Sequence, residues 1–333
     1  MKKMVLVGLV LLASVMVWVG CKMEAEAVKV YTFPAAVKVL TDYESPNSTG
    51  SEWTYVEFGE WPQSEAKDVE ENSLKLVDGG RGYFNNNYYK DDNDNYYVKH
   101  NDSYYKVEPI VWRVLNKDYA STGTALLLAE KILTGGIPYY GKYISRTIGG
   151  VEIFPNNYEH SQIRAFLNGL SYAYKESDST EQIEKDEYED AGFLQTAFTD
   201  EELKCIAETT VDNSKESTFG KGELQEDNPY ACDNTSDKIF LLSQQEATTE
   251  GYGFDAYDEY GKGNTRIRVT TDYANKTGVH TDIYTGWWWL RSPNYESENV
   301  ARGIFYNFGY AYSFNSVFTK DGGVVPALSI SLQ

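Results

Sequence analysis

The pattern of apolar and polar positions after Glu52 predicts short β-strands joined by turns. Runs such as WTYVEFGEW, NYYVKH and SYYKVEPIVWRVL are aromatic and β-branched, and clusters of Asn, Asp, Gly and Ser separate them. Such alternation is typical of antiparallel hairpins. We therefore expect a hairpin-rich segment over residues 53–107. Its acidic run DDNDN at 91–95 is interpreted as a solvated turn, because Tyr96 stands where an EF-hand calcium loop needs glycine.

Two segments in the middle of the chain have the spacing of amphipathic helices. The first is QIRAFLNGL, for which Ser161 suits the N-cap position. Its apolar face holds Ile163, Phe166, Leu167 and Leu170. The second is AGFLQTAFTDEELKCIAE, with Thr199 or Asp200 as the N-cap. The acidic stretch KESDSTEQIEKDEYED between them is predicted to be a surface excursion.

Strand-like runs return in KIFLLS and in the C-terminal stretch from Ala301 to Leu332. Short apolar runs bounded by Gly, Asn and Ser are consistent with strands joined by tight turns. The sequence therefore predicts an α+β fold with antiparallel strands and two amphipathic helices.

The first 21 residues have the pattern of a bacterial lipoprotein signal. Lys2 and Lys3 precede an apolar run over residues 4–19, and Gly20 stands directly before Cys21. The run is shorter than the roughly 20 residues that a membrane-spanning helix needs, and it fits the apolar region of a signal peptide. We expect cleavage before Cys21 and lipid attachment to that cysteine. An uncleaved N-terminal anchor helix is the alternative.

This signal predicts both the domain plan and the location of the protein. Residues 1–21 would be the lipoprotein signal, 22–52 a tether that could hold one edge strand, and 53–332 a single α+β domain. We expect a cell-envelope protein held by its lipid alone, at the outer membrane, the cell surface or the periplasmic face. A disulfide between Cys205 and Cys232 is permitted in such a compartment but is not required.

The charge balance excludes one class of partner. The chain has 50 Asp and Glu against 30 Lys and Arg, a formal net charge of -20 at pH 7, whereas nucleic-acid binding needs clustered Lys and Arg. Three histidines and three cysteines without zinc-site spacing supply too few ligands for a zinc site, so we expect no metal and no cofactor. The 28 tyrosines favour half-wet strand faces or a contact surface.

An ordered series of motifs resembles an uncharacterised bacterial domain family. The motifs are FGEWPQS, YYKVEPIVWRVL, SQIRAFLNG, KIFLLSQQEA, WWWLRSP and GGVVPALSI, in order from about residue 54 to 332. That family is marked by FGxYPQ, PIxWRVL, SxIRxWLN, FLLS and WWLRSP…GVRPAL, and occurs in secreted and lipid-anchored proteins without an assigned activity. Its ending resembles, more remotely, the C-type-lectin-like fold of formylglycine-generating enzymes. The resemblance implies a lectin-like core over residues 108–332.

Several features argue against an enzyme. This chain has Val325 where the family has arginine before Pro-Ala-Leu. The paired catalytic cysteines of the enzyme branch have no counterpart around Cys205 and Cys232, and no G-x-S-x-G, P-loop or S-x-x-K motif is present. Glu159 and His160 could polarise a water, but they stand just before a predicted N-cap and are more simply interpreted as a turn.

The residues of the family motifs are predicted to be scaffold. Cations beside indoles suit a cation–π clamp in the core, with a sugar-stacking shelf as the alternative. These residues are Trp112, Arg113, Arg164, Trp288, Trp289 and Arg291. We expect Arg164 to pair with a carboxylate.

The candidate ligand-binding residues lie between the motifs, in a segment rich in Tyr, Asn, Phe and Gly. This composition is typical of binding surfaces, although tyrosine pairs that merely stabilise a wet sheet are the alternative. The candidates are Asn294, Tyr295, Tyr306, Asn307, Tyr310, Tyr312, Phe314 and Asn315.

Three hypotheses follow for the function. The first is a lipoprotein that binds an external glycan or protein, and the second is an envelope assembly module. The third is a hydrolase of envelope polymer. A contiguous exposed aromatic patch over residues 294–315 would favour the first two, and a deep cleft with two facing carboxylates would favour the third.

Overall fold

The computed structural model of the protein describes residues 32–47, 53–223, 227–257, 262–311 and 313–333. The predicted signal over 1–21, with Cys21, and the candidate Tyr312 lie outside the described residues. Thr32–Gln333 forms one compact unit.

The described chain is built mainly of short strands. Its first part holds β1 (Lys38–Leu40), β2 (Thr54–Glu65), β3 (Lys75–Leu76), β4 (Tyr88–Lys90), β5 (Tyr96–His100), β6 (Ser103–Tyr119) and β7 (Thr124–Ala129). The rest holds β8 (Arg146–Ile148), β9 (Val151–Ile153), β10 (Tyr172–Tyr174), β11 (Ile183–Lys185), β12 (Ile206–Ala207), β13 (Thr209–Val211), β14 (Thr235–Asp237), β15 (Ile239–Phe240), β16 (Arg268–Val269), β17 (Thr281–Asp282), β18 (Thr285–Gly286), β19 (Trp288–Pro293), β20 (Val300–Ile304), β21 (Ser313–Ser316) and β22 (Ala327–Ser331).

The helices are short. They are α1 (Gln162–Asn168), α2 (Phe193–Ala197), α3 (Asp200–Leu203), α4 (Gln244–Ala247) and α5 (Asp272–Lys276). Strands hold 35% of the chain and helices 14%, which confirms the predicted α+β class with a large excess of strand. Nowhere in the described ranges does a helix have the length and apolar character needed to cross a membrane.

One curled antiparallel sheet forms half of a barrel. Its strands run in the order β12-β22-β7-β6-β5-β4-β3, with β2 paired to β6 and β1 paired to β2. The turn over residues 91–95 joins β4 to β5 and is largely exposed, and β4, β5 and β6 pair in sequence as antiparallel neighbours. The lectin-like core over 108–332 stays a prediction.

The centre of the sheet explains the apolar runs of the sequence. In β7 the residues from Ala125 to Ala129 are all fully buried, because both faces of this strand are covered. Leu127 lies opposite Leu328 of β22, so the end of the chain packs beside a strand two hundred residues earlier. A continuous apolar run of this length is typical of a strand buried on both faces.

The predicted α1 begins as expected but ends earlier. The Ser161 hydroxyl accepts a hydrogen bond from the Arg164 backbone N–H at 3.2 Å, which confirms the N-cap. Gly169 then adopts φ +67°, the left-handed conformation that closes many helices. Leu170 therefore lies beyond α1 and is 37% exposed, so placing it on the apolar helix face was wrong.

The second predicted helix is two helices with a break between them. Phe198 is extended, and the Thr199 hydroxyl accepts a hydrogen bond from the Glu202 N–H while the Glu202 carboxylate accepts one from the Thr199 N–H. This reciprocal capping box starts a new helix inside the apolar run. Thr199, one of the two residues predicted for the N-cap position, is thus the N-cap of α3.

Residues 32–47 pack on the body, although the sequence analysis placed them in a tether. Lys38 of β1 lies opposite Glu57 of β2, and Thr32 exchanges two backbone hydrogen bonds with Gln333. The Asn47 amide is buried and its oxygen accepts a hydrogen bond from the Val269 N–H. The compact body therefore begins by Thr32.

Candidate functional site

The motif residues predicted as scaffold lie in or beside the core. Trp112, Arg113, Trp288, Trp289 and Arg291 are buried. The Arg164 side chain is 17% exposed and its Nη2 lies 2.8 Å from a carboxylate oxygen of Asp237. Arg291 pairs with Glu246 in the same way. These side chains are engaged inside the protein.

The most deeply buried of these ion pairs joins Arg113 to Glu130, whose side chains are both fully buried. The Arg113 Nε and Nη2 each donate to a different Glu130 oxygen at 2.9 Å, and the guanidinium lies 3.8 Å from the ring centre of Trp53. Glu130 also accepts hydrogen bonds from Ser45 at 2.6 Å and Asn47 at 2.7 Å. Burial alone would raise the pKa of Glu130, but the neighbouring guanidinium groups hold this pKa below its usual value. The cluster stabilises the core and offers no surface to a ligand.

The C-terminal candidates differ in exposure. Asn294 is 1% exposed and its side-chain oxygen accepts hydrogen bonds from the N–H groups of Glu296 and Ser297. This is an Asx turn, so Asn294 has a structural task inside the protein. Tyr295 and Phe314 both lie against the buried Arg302, whose guanidinium carbon is 5.7 Å and 4.8 Å from their ring centres.

The loop between β20 and β21, together with β21 itself, carries the other candidates. Tyr306 lies against Phe305 and His280, and Tyr310 lies against Phe308. Both tyrosines are half-buried, as is Asn315, whereas Asn307 is exposed. The exposed rings are Phe314, at 47%, and Phe308, at 53%. Phe308 was not among the predicted candidates, because composition does not show which aromatic rings of this segment stay exposed.

A two-stranded ribbon, whose second strand lies in the predicted acidic excursion, separates two concave surfaces. In the ribbon β10–β11, Tyr172 lies opposite Lys185 and Ala173 lies opposite Glu184. Successive side chains of a strand point to opposite faces. One face therefore presents tyrosine and lysine, and the other presents small and acidic side chains.

The first concave surface, which we call the tyrosine–lysine pocket, has a volume of about 220 Å³. Its lining consists of Pro138, Tyr140, Gly141, Lys142, Gln162, Tyr172, Tyr174, Glu176, Lys185 and Lys320. The Tyr172 ring is stacked on Tyr188, with 6.0 Å between ring centres and 21° between planes. The ammonium groups of Lys142 and Lys185 lie 5.6 Å and 5.5 Å from the ring centre of Tyr174.

Hydrogen bonds fix the floor and one wall of this pocket. The Gln162 side-chain oxygen accepts from the Gly141 N–H at 3.0 Å, and its NH₂ group donates to the Tyr188 hydroxyl at 3.1 Å. Lys142 lies 2.5 Å from Glu176, and this contact lowers the pKa of the Glu176 carboxyl. The pocket is thus preformed, with both charged and aromatic groups on its surface.

An exposed aromatic pair lies beside the pocket. Tyr143 follows Lys142 in the chain and is 64% exposed, and its ring contacts Phe318, which is 48% exposed. The sequence signals that could have found this region are the interleaved YYGKY and SYAYK, in which tyrosine and lysine alternate. Neither run predicted a site, because the acidic stretch that follows SYAYK is typical of a surface excursion.

The second concave surface, the acidic cleft, is lined by Glu159, His160, Arg164 and Glu184 and has a volume of about 350 Å³. Burial raises the pKa of Glu159, and burial together with two nearby arginines lowers the pKa of His160. Their side chains approach to 3.8 Å, Arg164 is paired with Asp237, and Glu184 is exposed to water. The cleft does hold two carboxylates, but one of them is open to solvent.

The cysteine next to this cleft is not activated. Burial raises the pKa of the Cys232 thiol to about 11, and a nucleophilic cysteine needs a lowered pKa instead. Cys205 and Cys232 are both free thiols. Within the part of the chain that the structure describes, no group of three or more His, Cys, Asp or Glu side chains is arranged to hold a metal ion.

The comparisons with known proteins identify a family but no characterised relative. A family model described as a domain of unknown function, DUF6273, matches residues 122–332. All residues that line the tyrosine–lysine pocket fall within that match. No curated protein matches the chain, and no solved structure matches it.

Proposed function

We propose that this chain, which belongs to the DUF6273 family of domains of unknown function, is a cell-envelope binding module that recognises a carbohydrate. The observation that carries the proposal is the tyrosine–lysine pocket, in which Tyr140, Tyr172 and Tyr174 stand among lysine and glutamine side chains. A sugar ring offers C–H faces to aromatic rings and hydroxyls to phenol, amide and ammonium groups. Lipid attachment at Cys21 and a lectin-like core are part of the proposal, supported by the signal pattern and the motif ending.

The size of the pocket favours a single sugar residue. Its volume of about 220 Å³ lies below the ~300–1,000 Å³ of sites for drug-sized ligands. The exposed pair Tyr143 and Phe318 beside it supplies a surface for the next residue of a longer glycan. We therefore expect recognition of one sugar within a chain, with the neighbouring residue resting on these two rings.

Binding is favoured over hydrolysis by the chemistry of the acidic cleft. The His160 imidazole has a lowered pKa and is neutral near pH 7, and the Cys232 thiol is protonated there. A glycosidase needs two carboxyl groups at a defined separation across the scissile bond, one of them kept protonated. Glu159 fits the protonated member, but Glu184, which lines the same cleft, is exposed and is not held in a water-excluding site.

The test is a glycan-binding measurement with a substitution in the pocket. The full chain, kept in a mild detergent, is applied to an array of neutral and acidic saccharides beside Tyr172→Ala and Tyr172→Phe. We expect binding by the unmodified chain, loss of binding in Tyr172→Ala, and retention in Tyr172→Phe, since the latter keeps the ring. Tyr284→Ala, an exposed tyrosine at 72% in the β17–β18 hairpin, is the matched control.

Two results would contradict this function. If Tyr172→Ala stays folded and binds as the unmodified chain does, the pocket is not the site. If the unmodified chain binds no saccharide, carbohydrate recognition is wrong.

A second candidate, recognition of an envelope protein through the loop between β20 and β21, rests on Phe308. This ring is exposed and its backbone adopts φ +65°, a conformation unusual for a bulky residue. Backbone strain of this kind clusters at functional sites. Phe308→Ala should weaken binding to such a protein partner and leave saccharide binding unchanged, so the same variant separates the two candidates.

A further inference from the structure

The tyrosine–lysine pocket has the opposite charge to the rest of the chain. Acidic residues outnumber basic ones by 50 to 30 overall, yet the pocket lining holds Lys142, Lys185 and Lys320 against Glu176 alone. Lys142 is paired with Glu176. Among the described residues, neither Lys185 nor Lys320 forms an ion pair. These two exposed ammonium groups are therefore placed to meet an anion that enters the pocket.

The buried guanidinium of Arg146 adds a further positive charge close to the pocket lining. Arg146 is 1% exposed, and its guanidinium lies 4.0 Å from the ring centre of Tyr140, which lines the pocket. The Arg146 NH₂ groups donate to the carbonyl oxygens of Phe154 and His160. In the described ranges no carboxylate forms an ion pair with it. A buried charge without a counter-charge is unfavourable, and an anion in the pocket would offset part of that penalty.

The charge of the whole molecule limits which anions can bind. At physiological salt, charges separated by more than about 8 Å are largely screened. A single sugar inside the pocket would therefore experience mainly the nearby lysines and Arg146. A long polyanion would extend beyond the pocket and meet the excess of Asp and Glu on the remaining surface.

Resting on the proposed function, we propose that the saccharide recognised in the tyrosine–lysine pocket is an acidic sugar with one carboxylate. Its ring would pack on Tyr172, and its carboxylate would lie between Lys185 and Lys320. This assigns a ligand class to the pocket and separates it from sites for neutral sugars, which need no converging cations.

The experiment compares matched ligands that differ only in the group at C6, which is neutral, a carboxylate or a phosphate. Methyl glucuronide, methyl glucoside and methyl glucoside 6-phosphate are titrated by calorimetry into the full chain in detergent, together with other monosaccharides in the same three forms. We expect the carboxylated member of a triplet to bind at least tenfold more tightly than the neutral one. This advantage should shrink as the NaCl concentration is raised.

Two double variants distinguish the effect of the pocket lysines on binding from the effect of the net charge of the whole chain. Lys185→Gln with Lys320→Gln should weaken binding of the carboxylated sugar roughly tenfold and leave binding of the neutral sugar unchanged. Lys67→Gln with Lys221→Gln removes the same two charges from exposed positions outside the pocket lining and should change neither. All four side chains are exposed, so these substitutions leave the core intact.

The outcomes distinguish this inference from the proposed function. Equal affinity for neutral and carboxylated sugars would overturn the acidic-sugar assignment and leave carbohydrate recognition standing. Tighter binding of the phosphorylated member would overturn the choice of carboxylate. An equal effect of the two double variants would show that overall charge, not the pocket, sets the preference. Binding of no saccharide at all would overturn both proposals.

Discussion

Glu130 is the buried carboxylate that balances the positive charge of the buried arginines around it. It binds Arg113 through two hydrogen bonds of 2.9 Å, and it also faces Arg268, which is fully buried and whose pKa burial lowers to about 9. Removing one partner of a buried ion pair costs about 3–5 kcal/mol, because the other charge stays buried. We expect Glu130→Gln to lower the free energy of unfolding by about that amount, measured by urea denaturation. Glu57→Gln, which breaks a surface pair with Lys38, should lower it by less than about 1 kcal/mol.

The stabilisation that Glu130 provides is expected to depend on pH. The pKa of Glu130 is lower in the folded protein than its ordinary 4.5, so the folded state binds this proton less readily than the unfolded state. The stabilisation is therefore fully present above about pH 4.5 and is lost as the pH falls through the folded pKa. The difference in stability between the unmodified chain and Glu130→Gln should shrink on acidification. A difference that is small at neutral pH would show that Glu130 is not needed to hold the two arginines.

Individual residue roles could be predicted where the chemistry is local. The expected carboxylate partner of Arg164 exists, but that it is Asp237, 73 residues away, could not be derived from spacing. Asn294 was predicted to contact a ligand but is buried, whereas Phe308 was not predicted and is exposed. Composition marked the segment as contact-rich, whereas only the fold determines which side chain turns inward to form an Asx turn and which one stays in water.

Gly59 is the point at which the sheet packs closely against the end of α2. It lies in β2, where the pairing with β6 is irregular, and adopts φ +68°. A Cβ at this position would lie 2.5 Å from the ring of Phe198 and 3.0 Å from the carbonyl oxygen of Ala197. Gly59→Ala should therefore lower stability by about 2–4 kcal/mol, from left-handed strain and overpacking together. Thermal and urea unfolding measure this loss.

Gly149 provides the matched control for that prediction. Its φ of +58° is similar, but nothing lies within 4 Å of the position a Cβ would take. Gly149→Ala should therefore show only the strain of about 1–2 kcal/mol. If both substitutions lower the free energy of unfolding equally, the contact with Phe198 adds no destabilisation. The left-handed backbone conformation alone then explains why glycine occupies position 59.

Helices and strands could be predicted from the sequence where a few neighbouring residues determine them. Turn clusters and alternation predicted the β3–β6 meander, and Ser161 marked the start of α1. The break between α2 and α3 was missed because the apolar spacing continues through Phe198, while the capping box of Thr199 and Glu202 is the stronger local preference. The pairing of β22 with β7 was not predictable, since the two strands are about two hundred residues apart in the chain and no local signal links them.

For the molecule as a whole, the pocket shows why a binding site can escape sequence reasoning. Its lining comes from the segment 138–142, from α1, from the ribbon β10–β11 and from Lys320. Each piece alone resembles an ordinary surface of an acidic chain. Only the fold brings the lysines together, so their shared positive charge is a property of the assembled body.

The anchoring of that body is the remaining prediction, and it concerns Cys21. A lipoprotein loses the signal before this cysteine and gains acyl chains, each buried CH₂ contributing about 0.8 kcal/mol to membrane binding. We expect cells that express the chain in the presence of labelled palmitate to yield a labelled protein without Lys2 and Lys3, as shown by mass spectrometry. Cys21→Ser should be unlabelled and keep the apolar run 4–19, whereas Cys205→Ser should be labelled normally. An unlabelled but membrane-bound unmodified chain that retains Lys2 would instead establish the uncleaved anchor helix, and the binding domain would then be held by a protein segment rather than by lipid.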